Sequence, residues 1–132
     1  MEKVVIDAQA LFYLQKTNIP EKLNKLREDI INGKIIAIIP SIAICELLWK
    51  IRKTGGKVIE KFQQIYENWK NSPNIIIDNL NNEILELMLK NNENIELHDE
   101  IIAMTCKKNG TLIIYSKDEI FQKIWQLKLI KW

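Results

Sequence analysis

Five short runs of the chain are almost unbroken in apolar residues: Lys3 to Asp7, Ile35 to Ile39, Asn74 to Asp78, Thr111 to Tyr115 and Leu127 to Lys131. Ile and Val dominate them, and the first four lack the in-out alternation of a half-exposed strand. Such runs are how strands read when helices cover both faces of a parallel sheet. Between them, apolar residues recur at helical spacing over Ala8 to Lys16, Pro20 to Asn32, Ser41 to Lys53, Lys57 to Asn71, Leu80 to Asn91, Asp99 to Asn109 and Asp118 to Gln126. Strands alternating with helices predict a layered α/β sandwich around a mainly parallel sheet of four or five strands.

The punctuation agrees. Pro20 suits a first helical turn, Ser41 is placed to cap a helix, and Gly33, Gly55, Gly56 and Gly110 stand where helices should stop. Gly55-Gly56 reads as a tight turn between two helices. With no repeat and no low-complexity linker, residues 1–132 read as one domain. A domain of this length buries about two-thirds of its unfolded surface, enough to build a cleft without disulfides.

Composition changes this picture little. The 19 Lys and Arg nearly balance 17 Asp and Glu, for a net charge of +2. Bulk charge therefore does not advertise a polynucleotide partner, which must be argued from a local site. Cys45 and Cys106 lack disulfide or zinc spacing, which suits a reducing, cytoplasmic setting. The longest apolar stretch, Ile35 to Cys45, is interrupted by Pro40 and Ser41 and is about half of a membrane span. No signal-peptide core precedes Asp7.

The chain holds only five aspartates. In open parallel sheets, ligands bind beyond the carboxyl ends of the strands. Asp7 closes the first strand, Asp118 follows the fourth after Ser116 and Lys117, and Asp99 opens the helix that leads into the fourth. Each is equally suited to cap the helix it precedes. Asp78, at the end of the third strand, reads as a cap, and Asp29, beside Arg27 and Glu28, as solvated. Glu46 lies mid-helix in Ile-Ala-Ile-Cys-Glu-Leu-Leu-Trp, among apolar neighbours, where a carboxylate is costly unless paired. Its structural alternative is an ion pair with Lys50 at i+4.

Four convergent carboxylates repel one another unless a cation neutralises them. Oxygen ligands without thiolate select Mg²⁺ or Mn²⁺ over zinc. An ion so held suits phosphodiester hydrolysis.

These segments resemble the PIN-domain family, in particular the small single-domain ribonucleases of VapC type. The likeness is carried by KVVIDAQALFYL with Asp7, by IPSIAICELL with Glu46, and by ELHDEIIAMTCKKNGTLIIYSKDEIF with Asp99 and Asp118. The last is the most specific: an Asp-led helix, a Gly-containing turn, a buried strand, Ser, one variable residue and Asp, with Phe121 soon after. The resemblance implies a PIN-like three-layer α/β/α fold and a Mg²⁺- or Mn²⁺-dependent endoribonuclease acting on RNA. It also implies frequent homodimers and often a toxin role opposed by a cognate antitoxin. Two positions depart from the family pattern: Gln9 stands where Ser, Thr or Asn is usual, and Lys117 where many relatives carry Arg.

Around this set, Ser116 is expected to support Asp118 by hydrogen bonding, and Lys50, Arg52, Lys53 and Lys117 are candidate RNA contacts. Lys50, Arg52, Lys53 and Lys57 equally suit a helix C-terminus, where cations complement the macrodipole. The only histidine, His98, is open to proton relay, substrate contact or simple exposure. Trp49 and Trp69 are open to base stacking, core packing or dimer contact. The functional alternative is a weak or inactive PIN-like module that binds protein or RNA without cutting. A phospho-receiver domain is a more distant reading, because the acidic pair it needs after the first strand is missing.

Overall fold

The computed structural model describes residues 2–132. In chain order the elements are β1 (Glu2–Ile6), α1 (Ala8–Leu14), α2 (Glu21–Ile31), β2 (Ile35–Pro40), α3 (Ser41–Ile51), α4 (Gly56–Asn71), β3 (Ile75–Asp78), α5 (Asn82–Leu89), α6 (Leu97–Lys108), β4 (Ile113–Tyr115), α7 (Ile120–Trp125) and β5 (Lys128–Ile130). The strands form one sheet in the order β3-β2-β1-β4-β5. Every pairing is parallel.

The apolar runs become strands because both of their faces are buried. Val4 and Ile6 face one layer with Ala37 and Ile39, while Val5 faces the other with Ile38 and Ile114. The first layer is closed by Leu11 of α1, Leu23 and Leu26 of α2, Leu47 of α3 and Phe62 of α4. The second is closed by Ile84 of α5, Ile102 of α6 and Phe121 of α7. The result is the expected α/β/α sandwich. β3 is the exception to full coverage. It lies at the sheet edge, and Ile76 at its centre is 42% exposed despite an uninterrupted apolar run.

Several expected boundaries shift for physical reasons. Ser41 does not cap α3; Pro40 holds that position, and no side chain bonds the helix start. Helix α6 begins at Leu97, not Asp99, because the Glu96 carboxylate accepts the N–H groups of His98 and Asp99. Helix α7 begins at Ile120 rather than Asp118. Thr111 lies outside β4, in the connection that precedes it, and its hydroxyl donates to the Lys3 carbonyl at 2.6 Å, tying the β4 entry to β1. Gly55 does serve as the turn between α3 and α4, at φ +119°, a conformation that L side chains rarely adopt.

The strand order reverses direction between β1 and β4, since the chain first builds outward through β2 and β3 and then returns to β1's other side. Such a switch point opens a crevice beyond the strand ends, because the flanking connections leave towards opposite faces. Asp7 follows β1 and Ser116 follows β4 at this crevice, and the Asp7 N–H donates to the Tyr115 carbonyl at 3.1 Å.

Candidate functional site

Asp7 is nearly buried, and both of its oxygens are engaged. One accepts the Ala8 N–H at 2.7 Å, and the other accepts the Ser116 hydroxyl at 2.7 Å. The fully buried Ser116 oxygen in turn accepts the Asp118 N–H at 3.1 Å. One hydroxyl therefore fixes Asp7 and the loop that carries Asp118, and its partner on each side is an expected site residue. Asp118 uses one oxygen on the Ile120 N–H at 3.1 Å, so it caps the first turn of α7 from two residues away. Gln9, in the first turn of α1, accepts the Lys117 N–H at 3.1 Å. At the unusual position in the family pattern, Gln9 thus still orients the β4–α7 loop.

Glu46 projects from α3 towards α6, where His98 Nδ1 lies 3.5 Å from its Oε1. The structural alternative, a Glu46–Lys50 ion pair, is absent among the described residues; Lys50 instead acts on Asp7, where its charge opposes the rise that burial causes. His98 sits in the first turn of α6, also 3.8 Å from Glu96 Oε1. Its contact with Glu46 escaped the sequence reading, because nothing in the spacing of residues 46 and 98 signals that α3 and α6 meet.

Electrostatics show which acids share a neighbourhood. Loss of water, offset by the Ser116 and Ala8 hydrogen bonds and reinforced by Asp118, raises the Asp7 carboxyl above its ordinary value. Glu46 is raised by loss of water, by Asp7 and by Asp99, and His98 opposes the rise. Asp99 is pushed up to about 6 by loss of water, then by Asp118, Glu96 and Asp7. Asp7, Glu46 and Asp99 therefore feel neighbouring acids across the crevice, Asp118 among them, while Lys50 opposes the rise at Asp7 and His98 opposes it at Glu46 and Asp99. Asp78 takes no part. It is bound by Lys108 Nζ at 2.6 Å and Asn109 Nδ2 at 2.7 Å, so it is neither a site acid nor a cap; Asn81 caps α5.

Among the described residues, no three His, Cys, Asp or Glu side chains stand as a group that could hold a metal ion. The four acids are coupled through charge without being packed to ligating separation. That donor set nevertheless fits a hard divalent cation. It offers oxygen alone, its net charge is negative, and Mg²⁺ commonly takes one or two carboxylates directly and keeps several waters.

A family model for the PIN domain matches residues 4–125, a span that begins in β1 and ends in α7. The chain belongs to the PIN-domain family. A comparison with curated proteins finds none that matches. Solved structures share the fold of this PIN domain at low identity. FitAcB from Neisseria gonorrhoeae aligns with a TM-score of 0.67 at 14% identity, over 96% of each chain. VapBC2 from Rickettsia felis, bound to a DNA fragment from its promoter, aligns at 0.65 and 21% identity, over 98% of each chain. DNA-bound VapBC from Salmonella typhimurium aligns at 0.61 and 16% identity, over 100% of this chain and 99% of that one. PIN domains are generally nucleases, and PIN nucleases generally use divalent metal ions.

The candidate cations flank the crevice differently. Lys117 Nζ lies 5.7 Å from the Tyr13 ring centroid and 5.2 Å from that of Trp132, so two rings steer an ammonium beside Asp118. Lys50, Arg52 and Lys53 are exposed at the end of α3 or just past it, while Lys57 falls in the first turn of α4. The two tryptophans part company. Trp69 packs edge-on against Phe62, with centroids 5.9 Å apart, whereas Trp49 is 61% exposed. Among the described residues, no helix is long and apolar enough to cross a membrane.

Proposed function

We propose that this PIN domain is a Mg²⁺- or Mn²⁺-dependent endoribonuclease that hydrolyses RNA phosphodiester bonds. What supports the reading is the charge felt between acids near the β1/β4 switch point: the carboxyls of Asp7, Glu46 and Asp99 are each raised by burial and by neighbouring acids, Asp118 among them. Asp7, Asp99, Asp118 and Glu46 would hold the ion. When bound, it supplies Lewis-acid charge at the phosphate and lowers the pKa of the water it carries.

The chain's own residues supply the remaining parts. Ser116 holds Asp7 by hydrogen bond and fixes the Asp118 backbone, and Gln9 holds the intervening Lys117 backbone. Lys117 and Lys50 offer positive charge to the RNA backbone from two sides, which draws a polyanion towards a negative cleft. Because a ligating carboxylate must be deprotonated, metal affinity falls as pH drops through about 6, where Asp99 takes up its proton.

The biological role we assign is that of a toxin restrained by a cognate antitoxin, acting as a cytoplasmic homodimer. It is supported by the family and by the shared fold with VapBC and FitAB chains. The alternative, a PIN module that binds without cutting, draws support from acids that do not already stand at ligating separation.

The deciding experiment is cleavage of a broad panel of single-stranded and structured RNAs with either metal. Wild type should cut, EDTA should stop it, and Asp7→Asn should abolish it. Equal cleavage by wild type and Asp7→Asn, or no cleavage of any RNA with either metal, overturns the enzymatic reading.

A further inference from the structure

One face of α3 carries Glu46, Trp49, Lys50 and Lys53, the last just past the helix end. Their spacing of i, i+3, i+4 and i+7 confines them to about a third of the helix circumference. The opposite side is core, with Ala43, Ile44, Leu47 and Ile51 all buried. Trp49 is left 61% exposed, against 40% for Phe12 and partial burial for the other tryptophans. Lys53 Nζ sits 3.6 Å from the Trp49 ring centroid. An ammonium covers one face of an indole, which leaves the other face to whatever approaches from solvent.

This face continues into the acidic crevice. Glu46 begins it, and Lys50, one turn on, is close enough for its charge to act on Asp7. Its chemistry suits a polyanion better than a second protein. Trp49 is the only large apolar side chain that α3 exposes, and its neighbours are Lys50, Arg52 and Lys53. Protein interfaces have apolar centres and are depleted in lysine. Sites for single-stranded nucleic acid combine a basic track with an aromatic ring on which a base stacks.

We infer that this face of α3 is a shelf for single-stranded RNA, on which an unpaired base stacks against Trp49 while Lys50 and Lys53 hold the flanking phosphates. The inference rests on the ribonuclease reading for its ligand and adds the place on this chain where an unpaired base of that ligand is held. A base inside an A-form helix cannot reach the indole, because its faces are occupied by its neighbours in the stack.

The test is binding in EDTA, where cleavage does not intervene, of a fluorescently labelled single-stranded RNA and of a duplex of the same sequence. Trp49→Ala should weaken single-strand binding about tenfold and leave duplex binding little changed, while Trp49→Phe should recover most of the loss. Lys50→Gln and Lys53→Gln should each flatten the dependence of log K on log salt concentration by about 0.7. The shelf is overturned if wild type binds no single-stranded RNA, or if Trp49→Ala binds it like wild type. It is equally overturned if Trp49→Ala loses both RNAs alike, or if sedimentation shows the variant losing a dimer while RNA affinity stays put. Metal-dependent cleavage is scored separately. Cleavage with no Trp49 effect removes the shelf alone, and Trp49-dependent binding without any cleavage removes the enzyme alone.

Discussion

Replacing Asp99 by Asn should make the protein more stable at neutral pH while disabling the site. The Asp99 carboxyl stands at about 6 instead of 3.8, raised first by loss of water and then by Asp118, Glu96 and Asp7. An acid with a raised folded pKa holds its proton more tightly folded than unfolded. Its destabilising effect is absent below the unfolded value and fully present above the folded one. The gap from 3.8 to about 6, at 1.36 kcal/mol per pH unit, is about 3 kcal/mol. Asp99 keeps partial contact with solvent, which screens the repulsion, so we expect about 1 kcal/mol. For a domain of this size that is a rise in Tm of about 4 °C. Circular dichroism melts of wild type and Asp99→Asn in EDTA would measure it. The difference should be largest at pH 7 and shrink towards zero as pH falls below 3.8, where Asp99 is protonated in both the folded and the unfolded state. Mn²⁺ at pH 7 should raise the wild-type Tm through preferential binding to the folded state and leave the variant nearly unmoved. An Asn variant no more stable than wild type at pH 7, or a stability gain independent of pH, would refute the crowding of charge in the crevice.

Three further substitutions separate holding a metal from holding the fold. Glu46→Gln should weaken Mn²⁺ binding in calorimetry without loss of stability; unchanged affinity would leave Glu46 only its contact with His98. Ser116→Ala removes a buried hydroxyl that serves both Asp7 and the Asp118 N–H and should cost about 1–3 kcal/mol in urea unfolding; a midpoint equal to wild type would show that the two loops do not depend on it. Asp78→Ala strands Lys108, whose side chain is 17% exposed, and should cost about 3 kcal/mol while Mn²⁺ affinity stays as in wild type; a loss of metal binding would mean that Asp78 belongs to the site after all.

The architecture was legible in the sequence because its signal is redundant. Ile35, Ile38 and Ile39 could each be replaced by another apolar residue and the run would still read as a buried strand, so the five strands and seven helices emerge with errors of a few residues at their ends. Edge status was not legible. Ile76 has the same neighbours in sequence as a central-strand residue, and only the order β3-β2-β1-β4-β5 leaves it uncovered. Within the site, Asp7 and Ser116 could be singled out by position, but their bond joins residues 109 apart in the chain. The same holds for Glu46 and His98. Side chains that meet through tertiary packing leave no spacing to read; Glu46 could be set beside the aspartates because a carboxylate among apolar helix neighbours is costly unless paired, but its partner could not be named.

The contrast between Asp78 and Asp99 shows what decides whether a scarce aspartate becomes part of a site. Both stand near a helix start and both suit a cap, so propensity treats them alike. In each case another residue takes the capping role: Asn81 accepts the Ile84 N–H at the start of α5, and Glu96 accepts the N–H groups of His98 and Asp99 at the start of α6. Both carboxylates are thereby released from local duty, and their fates then depend on which charges tertiary packing brings to them. Asp78 meets Lys108 and Asn109 and is satisfied. Asp99 meets Asp118, Glu96 and Asp7, with only His98 opposing their effect, and carries a charge that the fold does not neutralise. An unneutralised acid persists at a stability cost, and a binding partner that needs the charge offsets that cost. Near neutrality over the whole chain conceals this, because most of the 19 basic residues lie on other surfaces, while the excess of negative charge is confined to one crevice flanked by Lys50 and Lys117.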